Sequence, residues 1–152
     1  GCVVLQIQPE DTRKFTMAIS TRHLFVKKSG LPGAGKGLFT HTRIRRGERI
    51  VEYKGRRVPW RIAKPQDGYN GYLLRLDRST VIDAKPTRAF GRYANDASGF
   101  SRKKGLVNNA TYNIYGDRCY IEATRNIPAG GEILVSYGRE FWALQRKLAL
   151  EQ

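Results

Sequence analysis

Residues 127–138 read Ile-Pro-Ala-Gly-Gly-Glu-Ile-Leu-Val-Ser-Tyr-Gly. The apolar run Ile133–Tyr137 predicts a strand, and the glycines on both sides of it predict turns. Phe141, Leu144 and Leu148 then recur at helical spacing, which predicts a C-terminal helix over about residues 140–152. On its own, a tyrosine at the end of a strand indicates no more than a core residue.

A second glycine-rich stretch lies at residues 33–37, which read Gly-Ala-Gly-Lys-Gly. Glycines remove side chains, so the backbone can turn tightly and approach a ligand. A phosphate-binding loop is excluded, because Lys36 is followed by glycine and then by the strand-like Leu38–Thr40 rather than by Ser or Thr and a helix. The spacing also differs from a dinucleotide-binding fingerprint. Taken alone, this stretch predicts a turn between strands.

Short strand-like segments separated by turn residues fill most of the remaining chain. This pattern predicts a mostly-β or α+β domain of small sheets. The stretch from Lys54 to Gly71 predicts a loop with at most one helical turn, residues 91–95 a helical turn or an extended piece, and residues 97–105 a polar, mobile loop. The expected strands are Val3–Ile7, Phe15–Ile19, Leu24–Lys28, Leu38–Thr40, Arg49–Tyr53, Tyr72–Leu76, Thr80–Asp83, Asn113–Tyr115, Arg118–Ala123 and Ile133–Tyr137.

Composition and charge exclude several classes of protein. The 152 residues fit one domain, and the two cysteines exclude a disulfide scaffold and a zinc site built on paired cysteines. Reduced thiols are typical of an intracellular protein, and no apolar run reaches membrane-spanning length. The net charge of +15 indicates contact with a polyanion such as DNA or a nucleosome, although a basic, solvated surface has the same composition.

Four segments, taken in their order, resemble the signature segments of the SET-domain protein-lysine methyltransferase family. They are Gly-Lys-Gly at 35–37, Tyr-x-Gly at 53–55, Arg-Tyr-x-Asn at 92–95 and Gly-Glu-Ile-x-x-x-Tyr-Gly at 131–138. The resemblance covers about residues 24–142 of a single domain spanning 1–152. It implies several small curved sheets with a C-terminal pseudoknot and a short C-terminal helix.

The resemblance implies an S-adenosylmethionine-dependent lysine N-methyltransferase in the nucleus, acting on a histone tail and releasing S-adenosylhomocysteine, with no metal. Two alternatives remain open. One is a SET-like chromatin or nucleic-acid binding module with little or no catalysis, and the other is a methyltransferase for a non-histone protein.

The resemblance also implies roles for individual residues. Tyr137 is the implied catalytic tyrosine, with Tyr53 opposite it in a lysine channel that also includes Val135. The implied cofactor-binding residues are Ala34, Lys36, Gly37, Tyr72, Arg92, Tyr93, Asn95, Asp96, Phe141 and Trp142. Tyrosine faces exclude water while their hydroxyls still form hydrogen bonds, so such a channel disfavours a charged lysine.

The sequence departs from the family at several positions. The usual Asn-His pair is Asn95-Asp96, and the cysteine-rich modules that flank many SET domains have no counterpart here. We expect the C-terminal helix, with Trp142 and Leu144, to close the lysine channel instead. Val135 lacks a hydroxyl that could hold a water beside the amine, so we expect addition of more than one methyl.

The charge pattern suggests how substrate and chromatin would bind. We expect an acidic rim to receive the basic peptide, with Glu52, Asp83, Glu122 and Glu140 as its candidates. The basic surface would then hold nucleosomal DNA. Residues 101–104, Ser-Arg-Lys-Lys, are either a DNA contact or a solvated loop.

Overall fold

The computed structural model describes the backbone of residues 3–4 and residues 16–151 of the chain. The remainder of the expected first strand, and Phe15 of the second, lie outside the described residues. The strands are β1 Val3–Val4, β2 Leu24–Lys28, β3 Lys36–Thr40, β4 Arg49–Glu52, β5 Arg56–Pro59, β6 Leu73–Arg75, β7 Thr80–Asp83, β8 Ala110–Tyr115, β9 Arg118–Ala123 and β10 Glu132–Ile133.

The strands form three small sheets, with orders β1-β6-β7-β5, β10-β3-β2 and β4-β9-β8. Helix α1 spans Trp60–Ala63 and helix α2 spans Arg139–Leu150, and 3-10 turns occupy Thr21–His23, Lys64–Gln66 and Phe90–Tyr93. This confirms the predicted fold class of small sheets with little helix. Neither α-helix within the described part of the chain is long and apolar enough to span a membrane.

The hairpin of β8 and β9 shows why the sequence folds in this way. Ile114 and Ile121 are completely buried, and they pack in the same core as Leu38 and Ile133 of the neighbouring sheet. Gly116 has a φ of 64°, which suits the tight turn between the two strands. Alternation and turn chemistry therefore agree, and the predicted hairpin is present.

Strand β5 lies in a stretch that was predicted to be a loop. Arg56–Pro59 pairs antiparallel with β7 at the edge of its sheet. Two arginines and a proline are unusual in a strand, but an edge position leaves arginine side chains in solvent and tolerates the missing N–H of proline. The prediction failed because pairing with β7 is a tertiary interaction.

The last predicted strand is divided between two partners. Only Glu132–Ile133 pairs with β3 as a strand, and the next residues form single bridges to other segments. The Val135 N–H donates to the Asn95 carbonyl at 2.8 Å, while the Leu134 carbonyl accepts from Ala110 N–H at 3.0 Å. The C-terminal segment is thus enclosed between the two ends of the loop 95–110, which is the predicted pseudoknot.

A buried ion pair joins strands β4 and β9. Arg49 Nε donates to Glu122 Oε2 at 2.9 Å, and both side chains are almost completely buried. Glu122 Oε1 also accepts from Asn113 Nδ2 at 2.7 Å and from the Tyr115 hydroxyl at 2.5 Å. The guanidinium lies 4.0 Å from the ring centroid of Tyr120. Glu122 is therefore part of the interior and is unable to belong to an acidic rim at the surface.

Glu122→Gln should lower the free energy of unfolding by about 3–5 kcal/mol, because it leaves the buried Arg49 charge without its counter-charge. Urea denaturation at neutral pH measures the change. Glu140→Gln, at an exposed position of α2, is the matched control and should change stability by less than about 0.5 kcal/mol. Equal midpoints for the two variants would contradict this account of the ion pair.

Candidate active site

A cavity of about 500 Å³ lies where the glycine-rich loop, the Phe90–Tyr93 turn and helix α2 meet. Most of its wall is aromatic or backbone, and basic and amide side chains complete it. The lining residues are Ala34, Gly35, Lys36, Gly71, Tyr72, Arg92, Tyr93, Asn95, Tyr137, Phe141, Trp142 and Gln145. Its size and its mixture of flat rings with a few polar groups are typical of a small-molecule site.

The glycine-rich loop is fixed from two sides. Glu132, in β10, accepts hydrogen bonds from the Ser29 hydroxyl at 2.6 Å and from Gly30 N–H at 2.9 Å. On the cavity side, Asn95 Nδ2 donates to the Lys36 carbonyl at 2.9 Å. Glu132 is buried, so it is a structural support for the loop rather than a solvated turn residue.

Two tyrosine hydroxyls donate hydrogen bonds to backbone carbonyls. Tyr53 Oη donates to the Tyr72 carbonyl at 2.8 Å, and Tyr137 Oη donates to the Ala94 carbonyl at 2.6 Å. Each phenol oxygen therefore keeps its lone pairs for an incoming donor. The Tyr112 ring contacts both phenols, edge-on to Tyr53 at 5.5 Å and stacked with Tyr137 at 6.5 Å between centroids.

The pKa values of all three tyrosines are raised. Burial is the main cause in each case, because removing water disfavours the phenolate. A neighbouring tyrosine raises the pKa of Tyr53 and Tyr112 further, whereas the Asp96 carboxylate does so for Tyr137. At physiological pH these groups are neutral phenols, which align and polarise a partner but are poorly suited to act as strong bases.

Arg92 is placed over two aromatic rings at the cavity wall. Its guanidinium lies 4.3 Å from the Tyr72 ring centroid and 5.1 Å from that of Tyr93. Its Nε is buried and has no hydrogen-bond partner among the described residues. A buried donor of this kind is costly unless a ligand satisfies it, so the wall is suited to an anionic or carbonyl group.

Helix α2 covers the cavity from one side. Phe141 is buried, and its ring lies 5.1 Å from that of Tyr137. Gln145 Nε2 donates to the Gly68 carbonyl at 2.6 Å, which attaches the helix to the loop before β6. Leu144 packs against Gly68 rather than lining the cavity, so Trp142 is the member of the expected pair that lies at the wall.

The structure brings most of the residues singled out in the sequence to one place. Nine of the twelve lining residues belong to that set: Ala34, Lys36, Tyr72, Arg92, Tyr93, Asn95, Tyr137, Phe141 and Trp142. Gly37, Tyr53, Asp96 and Val135 are not on the lining. Val135 is completely buried, and addition of more than one methyl stays a prediction.

Several functional candidates were missed by reasoning from the sequence. Tyr112, Gly71 and Gln145 carry no motif, and only the fold brings them to the tyrosine cluster or the cavity. Asp83, expected at an acidic rim, is instead buried and accepts a hydrogen bond from Asn70 at 3.1 Å. Across the described residues, no three His, Cys, Asp or Glu side chains are grouped so that they could hold a metal ion.

The chain matches a known protein family over the residues that form this site. The model of the SET domain matches residues 35–138, which include residues 35–37 of the glycine-rich loop, Asn95 and Tyr137. The chain belongs to the SET domain family. This SET domain is 33% identical over 115 residues to the mouse and human "Histone-lysine N-methyltransferase, H3 lysine-36 specific", covering 70% of the chain and 4% of each relative.

Further relatives agree with this assignment. The N-lysine methyltransferase KMT5A-A of Xenopus laevis is 29% identical over 146 residues, which cover 88% of this chain and 42% of that protein. The solved structure of ctPRC2 in an autoinhibited conformation bound to S-adenosylmethionine superposes with a TM-score of 0.62 at 25% identity, over 84% of this SET domain and 16% of that chain. The chain thus spans less than half the length of these relatives.

Replacement of Gly37 by alanine should displace the glycine-rich loop, because a methyl group there would overlap the Glu132 carboxylate and approach Ser29 Cβ at 3.2 Å. We expect a loss of about 1–3 kcal/mol in unfolding free energy. Thermal and urea unfolding measure it. Gly71→Ala is the matched control, since its methyl would meet only Phe141 at 4.0 Å. Equal stability of the two variants would show that the Glu132 carboxylate can move aside without a loss of unfolding free energy.

Proposed function

We propose that this SET domain transfers a methyl group from S-adenosylmethionine to a lysine side chain of a protein, with a histone tail as the substrate. The observation that carries the proposal is the pair of phenols, the buried Tyr53 and the half-buried Tyr137, whose hydroxyls donate to backbone carbonyls beside the cavity. The relatives, which are lysine methyltransferases at 28–33% identity, support it.

The cavity residues fit S-adenosylmethionine. The orphaned Nε of Arg92 and the ammonium of Lys36 suit a carboxylate, and the backbone of residues 34–36 suits close approach by the amino-acid part. Phe141 and Trp142 offer rings for an adenine. When bound, the cofactor supplies an electrophilic methyl on a sulfonium. Asn95 would act by holding the Lys36 carbonyl in place.

The tyrosines would prepare the nucleophile. A free lysine has a pKa of about 10.4, so its ammonium must release a proton to solvent water before attack. A buried aromatic site disfavours the charged form through desolvation, and the phenol oxygens of Tyr53 and Tyr137 accept hydrogen bonds from the amine. Each phenol keeps its proton in a hydrogen bond to a carbonyl, Tyr137 to Ala94 and Tyr53 to Tyr72, so the two hydroxyls direct the nitrogen lone pair rather than take its proton.

A cluster of exposed arginines supports contact with nucleosomal DNA. Arg43, Arg45 and Arg46 lie on one turn, and Arg46 N–H donates to the Asn126 side chain at 2.9 Å, next to Arg125. The side-chain ion pairs within the described part of the chain join other groups, Arg49 to Glu122 and Arg118 to Glu52. None of these four arginines has an ion-pair partner within the described residues, and such a group of like charges attracts phosphates. A nuclear location is part of this proposal.

Calorimetric titration with S-adenosylmethionine, followed by methyl-transfer assays on nucleosomes, free histones and a lysate, tests the proposal. We expect binding that Asn95→Ala weakens at least tenfold, and product on histone lysines identified by mass spectrometry. Nucleosome binding without cofactor binding would favour a non-catalytic chromatin module. Transfer to other basic proteins, with histones untouched, would establish the methyltransferase and reject the histone substrate.

Tyr137→Phe should lower kcat by about 10²-fold or more, since it removes the oxygen that orients the amine, while the affinity for S-adenosylhomocysteine stays within a few-fold. The wild-type pH profile should rise with deprotonation of the substrate and show no limb from Tyr137 below about pH 10, because burial holds its pKa above the usual value. Full activity of the variant would assign the tyrosine to packing alone.

Tyr112→Phe should raise the degree of methylation at saturating cofactor. The variant keeps the ring contacts with Tyr53 and Tyr137 but removes a hydroxyl from the tyrosine cluster, which leaves more room around a methylated amine. Intact-mass analysis of a peptide product measures the distribution of mono-, di- and trimethyl forms. Tyr115→Phe, a buried tyrosine that contacts Glu122 instead, is the control and should leave the distribution unchanged.

A further inference from the structure

Asp96 occupies the position where the family usually has a histidine, and its carboxylate receives only donors. Oδ2 accepts from the Tyr137 N–H and from Trp142 Nε1, both at 2.7 Å. Oδ1 accepts from Ser98 N–H at 2.8 Å, from the Ser98 hydroxyl at 2.6 Å and from Asn108 Nδ2 at 2.8 Å. The side chain is buried, so water does not share these bonds.

An ionised carboxylate is the group that fits five donors. An asparagine has an oxygen on one side only, and its amide hydrogens would face either Tyr137 and Trp142 or Ser98 and Asn108. A neutral histidine accepts at a single nitrogen. Burial raises the pKa of Asp96, but the hydrogen bonds from Ser98, Trp142, Tyr137 and Asn108 outweigh it and lower the pKa below its ordinary value.

The same carboxylate oxygen joins two walls of the cavity. The Tyr137 and Trp142 rings are nearly parallel, 14° apart with 6.0 Å between centroids. The indole is also held by the loop that follows Asp96. Gly99 lies so close to the indole that no side chain would fit, and the Phe100 ring packs on it at 5.0 Å.

We propose that Asp96 is a positioning residue for methyl transfer, which fixes the Tyr137 phenol and the Trp142 indole relative to each other. The inference rests on the proposed function and adds a residue to its machinery. Its carboxylate holds the backbone from which the phenol projects and sets the angle of the indole against the cavity. The loop 97–108, bound to the other oxygen, stabilises the carboxylate in that orientation.

Asp96 would affect two measurable quantities, kcat and the affinity for the cofactor. Displacement of the phenol lowers kcat, because the amine loses its alignment with the methyl group. Displacement of the indole weakens cofactor binding. Since both depend on one oxygen atom, a change at Asp96 should lower kcat and raise the cofactor dissociation constant together, whereas a change at Trp142 alone should act mainly on binding.

Kinetics and calorimetry of Asp96→Asn, Trp142→Phe and the double variant test this inference on the full chain. We expect Asp96→Asn to lower kcat about 10- to 100-fold and to weaken S-adenosylhomocysteine binding about tenfold. Trp142→Phe should weaken binding similarly with a smaller change in kcat. In the double variant the binding losses should not add, because both variants remove the same hydrogen bond.

Asp117→Asn, an exposed aspartate in the β8–β9 turn, is the matched control and should behave as wild type. Tryptophan emission in a Trp60→Phe background reports on Trp142 alone, and it should shift to longer wavelength in Asp96→Asn as the indole is released to solvent. A merely structural role would lower the melting temperature with kcat and affinity of the folded fraction unchanged, and that result overturns the inference.

The remaining outcomes are also decisive. Should Asp96→Asn fail to fold, Trp142→Phe with wild-type affinity and wild-type kcat would overturn the inference by itself. Additive losses in the double variant would separate the two residues and overturn it as well. A wild-type chain that neither binds S-adenosylmethionine nor transfers methyl groups would instead reject the proposed function, which is a distinguishable failure.

Discussion

The enclosure of residues 134–137 by the two ends of the loop 95–110 is the constraint on which the candidate site depends. Hydrogen bonds from Val135 to Asn95 and from Ala110 to Leu134 hold this segment on both sides. The Leu134 N–H also donates to Asn109 and the Tyr137 N–H to Asp96, so these backbone groups of the enclosed segment are satisfied. Its exit point sets the position of Tyr137, and the positive φ of Gly138 turns the chain directly into α2.

The chemistry of the cavity follows from that burial. Three tyrosines share one interior cluster, and removal of water raises each pKa, so the phenols stay neutral. The hydroxyls of Tyr53 and Tyr137 donate to the Tyr72 and Ala94 carbonyls. These hydrogen bonds to neutral acceptors orient the lone pairs of the two phenol oxygens. The Asp96 carboxylate, near Tyr137, accepts hydrogen bonds from the Tyr137 backbone N–H and the Trp142 indole instead.

Much of this arrangement could be predicted from local signals. The β8–β9 hairpin, the glycine-rich loop and helix α2 each follow from turn residues or from apolar periodicity. The edge strand β5 could not, because Arg56 and Arg57 are strand residues only when β7 is beside them. Glu122 and Asp83 were misplaced for a related reason. A carboxylate in a sequence suggests solvent, and only the neighbouring Arg49 or Asn70 permits its burial.

By itself the sequence determined the class of fold and the family, because four ordered motifs and the strand pattern are local properties of the chain. It also determined most of the residues that line the cavity. Only the tertiary structure decided that Val135 is completely buried, that the Tyr112 ring contacts both Tyr53 and Tyr137, and that Asp96 accepts five hydrogen bonds. The local sequence pattern around a residue does not predict its contacts with residues distant in the chain. Those contacts depend on the path of the chain and on side-chain direction, which are set when the sheets pack together.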